Sequence, residues 1–333
     1  MATAYANLAH KTGRKDFQLK ATSFYQTSLE TINKTLSDPA LATSDATMTA
    51  VIMLGLYQCM NNGTESLQTY YIHSEGLSVL ADLRGSLLLH GKGPTLLQIA
   101  SCQIQRRNID LKCHPSSGDE RLIKLLDASS PASCMVMNMF QVSKYQASTY
   151  QDLSSGDQNQ IWNDEVMHDY DELDGKFVQW SQDAIFSIPF QTAPSSPGEE
   201  LNSTSEIRHH IYRGFWSASI WNKHRASWIK LHEALLARLD GSKSSFKSLE
   251  LRRKTTLAIQ KLIDEILASV PFCLGDLDPS QYFGVPKRVG PYFLVWALRV
   301  IISCSLASQY QHSQAVAVRS RMARQFGMPC CRT

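Results

Sequence analysis

Apolar residues recur at three- and four-residue steps along most of this chain, the period of amphipathic helices, and alternating strand patterns are few. Phe17, Ala21, Phe24, Tyr25, Ser28, Ile32 and Leu36 share one face of a first clear helix, which Ser37-Asp38-Pro39 breaks. Ser44 or Asp45 can cap the next, running through Met48, Val51, Ile52, Leu54, Leu56 and Tyr57 to Asn61-Asn62-Gly63. A third helix is predicted from about Leu67 to Leu83, stopped by Gly85, and a fourth from Pro94 to about Leu111. His114 to Asp119 reads as a loop, and shorter helices are expected over 119–150, interrupted by Pro131.

A longer helix is predicted over 158–186, carrying Trp162, Val166, Phe177, Trp180 and Ile185. Pro189 to Gly198, with three prolines, paired serines and a glycine, then reads as an exposed loop between two helical halves, 189–198. The second half opens on a helical region from about Glu199 to Leu239, with Trp221, Trp228, Leu231, Leu235 and Leu239 as its stripe and Asp240-Gly241 as its end. A helix over about 245–270 buries Ile259, Leu262, Ile263, Ile266, Leu267 and Val270 and is expected to stop at Pro271, which lacks an N–H and clashes backwards. Pro279 to Pro291 reads as loop, followed by helices over Tyr292–Gln309 and about Ser313–Phe326. Stripes this wide need neighbours on more than one side, so the fold class is all-α, a multilayer bundle of stacked antiparallel helices. No repeat of 20–50 residues appears, which argues against a solenoid.

Composition narrows the function classes. The 333 residues are 43% hydrophobic and 19% charged, a globular balance, and the net charge of +3 gives no strong field for nucleic acid or membrane. Tyr292 to Ala307 is apolar but too short to span a bilayer, and Arg299 sits at its middle, so a core helix is expected. The Met-Ala-Thr-Ala-Tyr start has no apolar segment of signal-peptide type, so the N-x-T patterns at Asn33, Asn62 and Asn202 are read as idle and a reducing intracellular setting as the best fit. Cys59, Cys102, Cys113, Cys134, Cys273, Cys304, Cys330 and Cys331 include no C-x-x-C spacing, so no structural zinc site is supported.

Candidate chemistry is sparse. Gly91-Lys92-Gly93-Pro94-Thr95 has phosphate-loop residue types at the wrong spacing. There is no G-x-S-x-G elbow, and His232-Glu233 lacks a second histidine because Leu236 stands there. Adjacent His209 and His210 would point about 100° apart on a helix and would not share an ion. The run Asp169-Tyr170-Asp171-Glu172-Leu173-Asp174-Gly175 fails as a calcium loop at Leu173. With Asn163 and Asp164 it is similar to one magnesium motif of class I terpene synthases, without the partner motif; a solvated acidic face is the plainer reading. Trp162, Trp180, Trp216, Trp221, Trp228 and Trp296 read as core anchors before ligand walls. Arg319, Arg321 and Arg324, with Arg299 upstream, suit a helix C-terminal dipole better than a phosphate backbone.

Several segments in a fixed order carry a resemblance. They are Ala4 to Leu36; Ser44-Asp45 through Leu56-Tyr57; His73-Ser74-Glu75-Gly76-Leu77 with Leu80 and Arg84-Gly85, where Tyr70 stands near a usual tryptophan; Trp228, His232-Glu233, Leu235 and Leu236; Ala268-Ser269-Val270-Pro271-Phe272 with Leu274-Gly275; and Trp296-Ala297. From about residue 4 to 328 the chain resembles the fungal-specific transcription factor domain, the helical region C-terminal to the zinc cluster of many fungal regulators.

The resemblance implies a nuclear, all-helical regulatory module acting in dimerisation, effector sensing or contact with the transcription machinery. It also implies control of a metabolic or secondary-metabolite gene cluster. It brings no residue motif for these roles, so no catalytic, cofactor-binding or metal-binding residue is assigned, no cofactor is expected, and the chain is read as no enzyme. The six-cysteine cluster is absent from this chain, so the expected partners are proteins: the transcription machinery or a zinc-cluster relative, in a homo- or heterodimer. Direct DNA contact and a membrane are not expected, and a small-molecule effector fits the family. The alternatives are a helical isoprenoid-type enzyme using the Asn163–Asp171 cluster with magnesium, and a non-catalytic helical scaffold.

Overall fold

The computed structural model describes residues 1–61, 67–156, 163–194, 208–241, 246–277 and 290–328. The fold is all-α, a multi-helix bundle with one small two-stranded sheet. The chain forms two compact units, Met1–Ser143 with Arg319–Thr333, and Lys144–Val318. Residues 189–194, the described part of the Pro-rich stretch, lie inside the second of these.

In the first unit, α1 (Ala2–Thr12) and α2 (Lys15–Leu36) fold back on each other at Gly13, whose φ of 70° lets its N–H reach the Ala9 carbonyl. Ala2, Ala6 and Ala21 lie buried against Tyr57, small side chains that let the helices approach closely. Asp38 caps α3 (Pro39–Ala42) by accepting from the Ala40 and Leu41 amides. Next, α4 (Asp45–Asn61) packs on α5 (Leu67–Arg84), and α5 in turn on α6 (Gly93–Leu111) and α7 (Ser117–Lys124). A 3-10 turn, Gly85–Leu89, separates α5 from α6; a Cβ on Gly93 would collide with the Leu88 carbonyl, so the close return of the chain requires glycine there. Ser116 and Asp119 form a reciprocal capping box on α7. The end of α14 (Gln309–Phe326) also belongs to this unit, where Asn7 Nδ2 donates to the Phe326 carbonyl at 2.8 Å.

In the second unit, Asn163 caps α9 (Asp164–Ser187), and β1 (Phe190–Pro194) pairs antiparallel with β2 (Arg208–Tyr212), Phe190 opposite Tyr212. The hub is α10 (Phe215–Gly241), which packs against α9, α11 (Phe246–Ala268), α13 (Gly290–Ser303) and β2. Apolar and polar positions are both buried all round it, including Ser219, Asn222, His224, Arg225, His232 and Arg238. Only a narrow, partly exposed stripe through Trp216, Lys223, Lys230 and Asp240 meets solvent, so most polar groups of this helix depend on protein partners. The short α12 (Val270–Leu274) sits beneath the start of α13, where a Cβ on Gly290 would strike the Cys273 carbonyl.

The structure corrects several expectations. Pro131 does not interrupt short helices; it opens α8 (Pro131–Ser155), a single 25-residue helix, because a first-turn proline has no intrahelical N–H to lose. The helix before Pro271 ends at Ala268, as expected, and Pro271 then lies in the first turn of the short α12. Ser117–Gly118-Asp119 is the first turn of α7 rather than loop. Residues 190–194 of the expected loop are strand, and 208–212 of the expected helix are its partner; the rest of both stretches, 195–207, lies outside the described residues. Trp162, Asn62, Asn202, Cys330, Cys331 and most of the 279–291 loop also lie outside them.

Candidate functional site

A buried polar constellation in the second unit centres on Arg225, 1% exposed. It stands on the face of α10 that meets the hairpin and α11. Its Nε donates to Glu265 Oε2 at 3.0 Å, and its Nη1 donates to Tyr212 Oη at 2.7 Å and to Asn222 Oδ1 at 3.2 Å. Its Cζ lies 5.3 Å and 5.2 Å from the Phe190 and Trp221 ring centroids. Tyr212 Oη also lies 3.2 Å from His210 Nδ1. Asn222 Nδ2 donates to Ser269 Oγ at 2.8 Å. One guanidinium thus joins both strands, α10 and α11, which is what a planar five-donor group does well.

A second line of groups runs between α9 and α10. Tyr170, Asp174, Phe177 and Ser181 on α9 interleave with His232, Trp228 and His224 on α10. Tyr170 Oη lies 2.9 Å from His232 Nδ1, Trp228 Nε1 donates to Asp174 Oδ1 at 2.5 Å, and Ser181 Oγ lies 2.9 Å from His224 Nε2. His224 stacks on Trp180 with centroids 4.1 Å apart.

Burial sets the protonation states. It drives His224 well below the ordinary imidazole range, aided by the Arg225 charge, and His232 down to about 3. His210 falls to about 3 through burial first and the Arg225 charge second. The 4.0 Å approach of His232 Nε2 to Asp174 is therefore no ion pair at neutral pH. Burial raises Asp174 against the opposing Trp228 hydrogen bond, and pushes the Cys273 thiol up to about 12 and Cys304 to about 11.

The Ser181–His224 contact has the atoms of a nucleophile and base without their polarity. Ser181 Oγ also bonds the Phe177 carbonyl at 3.0 Å, a helix-internal bond that takes the hydroxyl proton and leaves the imidazole as donor. Neutral histidines, thiols held protonated and an Arg225 guanidinium tied to three side chains make this an interior built for cohesion.

The first unit repeats the theme. Arg84, 4% exposed, donates to the Ser44 carbonyl at 3.0 Å and to Asp45 Oδ1 at 2.5 Å. Gln58 Nε2 donates to Tyr25 Oη at 2.6 Å, which faces His73 Nε2 at 3.0 Å. Asp119 gathers Ser78 Oγ, Asn108 Nδ2 and the Ser116 amide.

The acidic run does not converge. Asn163 spends its side-chain oxygen on the Val166 amide at 2.8 Å, Glu172 pairs with Lys176, and Asp174 turns inward to Trp228. Among the described residues no three His, Cys, Asp or Glu side chains cluster as metal ligands. His209 and His210 sit on a strand, so they point to opposite faces rather than 100° apart. Of the His232-Glu233 pair, His232 is buried on Tyr170, while Glu233 meets Lys230 at 2.7 Å. Gly91-Lys92-Gly93 forms the entry to α6. Trp180, Trp221 and Trp296 are buried, as core anchors should be, while Trp216 is 41% exposed. Arg324 occupies the last turn of α14, and Arg321 Nε donates to Gln325 at 2.8 Å. No helix among the described residues is long and apolar enough to cross a membrane.

Sequence reasoning passed over Arg84 and Arg225, the cations on which these networks turn. A signal was present in Trp221-x-x-x-Arg225-x-x-Trp228, a basic residue inside an apolar helical stripe. In comparisons with protein-family models, curated proteins and solved structures, nothing matches this chain.

Proposed function

We propose that this chain is a transcriptional regulator or coregulator of the fungal-specific transcription factor type, working in the nucleus through contacts with other proteins. The observation that carries this reading is the Arg84–Asp45 pair. Ser44-Asp45 and Arg84-Gly85 belong to two separate segments of the resemblance, and a buried guanidinium joins them across α4 and α5. Trp228 and His232, from a third segment, bond Asp174 and Tyr170, and Ser269 from the Ala-Ser-Val-Pro-Phe segment bonds Asn222. Residues quoted for the resemblance thus act together as interior ties, the role expected of a helical module whose output is macromolecular contact. Partners of this reading are the transcription machinery or a zinc-cluster relative, with a metabolic gene cluster as target and a small molecule as effector.

The test is functional. The chain fused to a heterologous DNA-binding domain should change expression of a reporter bearing that domain's sites, and a fluorescent fusion should concentrate in the nucleus. Deletion of the gene should alter a coherent transcript set. A cytosolic fusion together with an unchanged transcriptome would refute the reading.

A further inference from the structure

The outward face of α5 carries Ile72, Gly76, Val79 and Leu83 at steps of four, three and four, within roughly 60° of arc on a helix. Ile72, Val79 and Leu83 are each 61–68% exposed, although they lie on a helix whose other face is core. Leu87 and Leu89 of the following turn add exposed apolar surface. Together these side chains leave on the order of 500 Å² open, near the upper end of what a monomer shows. Gly76 is the second observation. A glycine in mid-helix weakens the helix, and its chain supplies no compensating contact: nothing lies within 4 Å of where a Cβ would stand. Gly175 on α9 is equally open, but Asp171, Glu172 and Gln179 around it are polar and Val178 is the one apolar side chain among these neighbours.

We propose that this face is the docking surface for a second copy of the chain, α5 against α5, antiparallel about a two-fold axis. The spacing four-three-four reads the same in both directions, a property that self-pairing needs and a foreign partner does not. In that register Val79 of each copy sits over Gly76 of the other, and Ile72 faces Leu83, so a knob meets a hole at the centre. One flank of the ridge carries Glu75 with Arg107 at 3.7 Å and Asp82 with Arg121 at 2.6 Å. Antiparallel docking brings the first pair of one copy beside the second pair of the other, offering each carboxylate another guanidinium. This flank is polar and balanced in charge, the composition of a protein interface edge and not of a polyanion site. This inference concerns α5 alone and does not rest on the regulatory reading.

Sedimentation velocity of the full chain across the micromolar range decides it. The expected result is a monomer–dimer equilibrium whose dissociation constant rises at least about tenfold in Gly76→Leu and in Val79→Lys. Gly76→Leu fills space its own chain leaves empty and removes a mid-helix glycine, so the diluted variant should melt no lower than the wild type. Leu249→Lys, an exposed leucine on α11, should leave the equilibrium unchanged. A chain that stays monomeric throughout, leaving the ridge to a foreign partner, overturns the proposal. So does a dimer that survives both ridge variants; should Gly76→Leu fail to fold, Val79→Lys alone decides.

Discussion

Arg84, at the end of α5, reaches across to Asp45, in the first turn of α4, with its guanidinium buried and the carboxylate 43% exposed. The pair is asymmetric in solvation. Removing the carboxylate strands a charge in the interior; removing the guanidinium leaves an aspartate that water and the α4 N-terminus can both satisfy.

Asp45→Ala should therefore cost more than Arg84→Met, about 3 kcal/mol against about 1–2 kcal/mol. Urea denaturation of both variants checks the order. Equal losses, or a larger one for Arg84→Met, would mean that the aliphatic stem and not the charge governs the site.

The Arg225 cluster ties the hairpin to the hub helix. Tyr212→Phe removes the acceptor of one buried N–H of a charged group, which should destabilise by about 1.5–3 kcal/mol. Amide hydrogen exchange should quicken in 208–212 before it quickens in α13. Uniform quickening over the unit would show that the hairpin does not open separately.

Acid should loosen the second unit. His210 and His232 bind protons near pH 3 when folded and near 6.5 when unfolded, and His224 is shifted in the same direction. The unfolded chain therefore holds more protons between those values, and stability falls as pH drops from about 6.5, by about 1.4 kcal/mol per pH unit for each histidine fully in its window. The raised Asp174 and Asp264 oppose this at the acid end, because they protonate more readily when folded. His224→Gln should flatten the slope between pH 6 and pH 5 by roughly one proton's worth. An unaltered slope would contradict this account.

Cys273 and Cys304 are buried thiols with raised proton affinity. In the native protein at neutral pH they should react with a thiol reagent only at the rate of unfolding, while the partly exposed Cys113 and Cys134 react sooner. Mass mapping of the labelled sites after brief exposure tests this. Early modification of Cys273 would show that α12 opens on its own.

Much of the helical order was legible in the apolar period. The α2, α4, α5, α6 and α11 spans follow from stripes and from stops such as Gly85, since a helix must present one face to a core. What misled was Pro131, which opens a long helix, whereas the helix before Pro271 stops as expected; which end of a helix a proline marks depends on whether its missing N–H would have had a partner. The hairpin was hidden because Arg208–Tyr212 is short and carries two histidines, and its place is set by Arg225 and Trp221 on a helix it precedes.

The sequence alone determined that this chain buries wide apolar stripes in stacked helices, because periodicity is a local property written residue by residue. Only the tertiary structure decided what its polar residues do. Whether Arg84, Arg225, His224 or His232 meets water or a partner depends on elements 13 to 62 residues distant or more, and burial, not identity, sets their charge. The same holds for Gly76 and its apolar neighbours, whose exposure no pattern of hydrophobic positions could reveal.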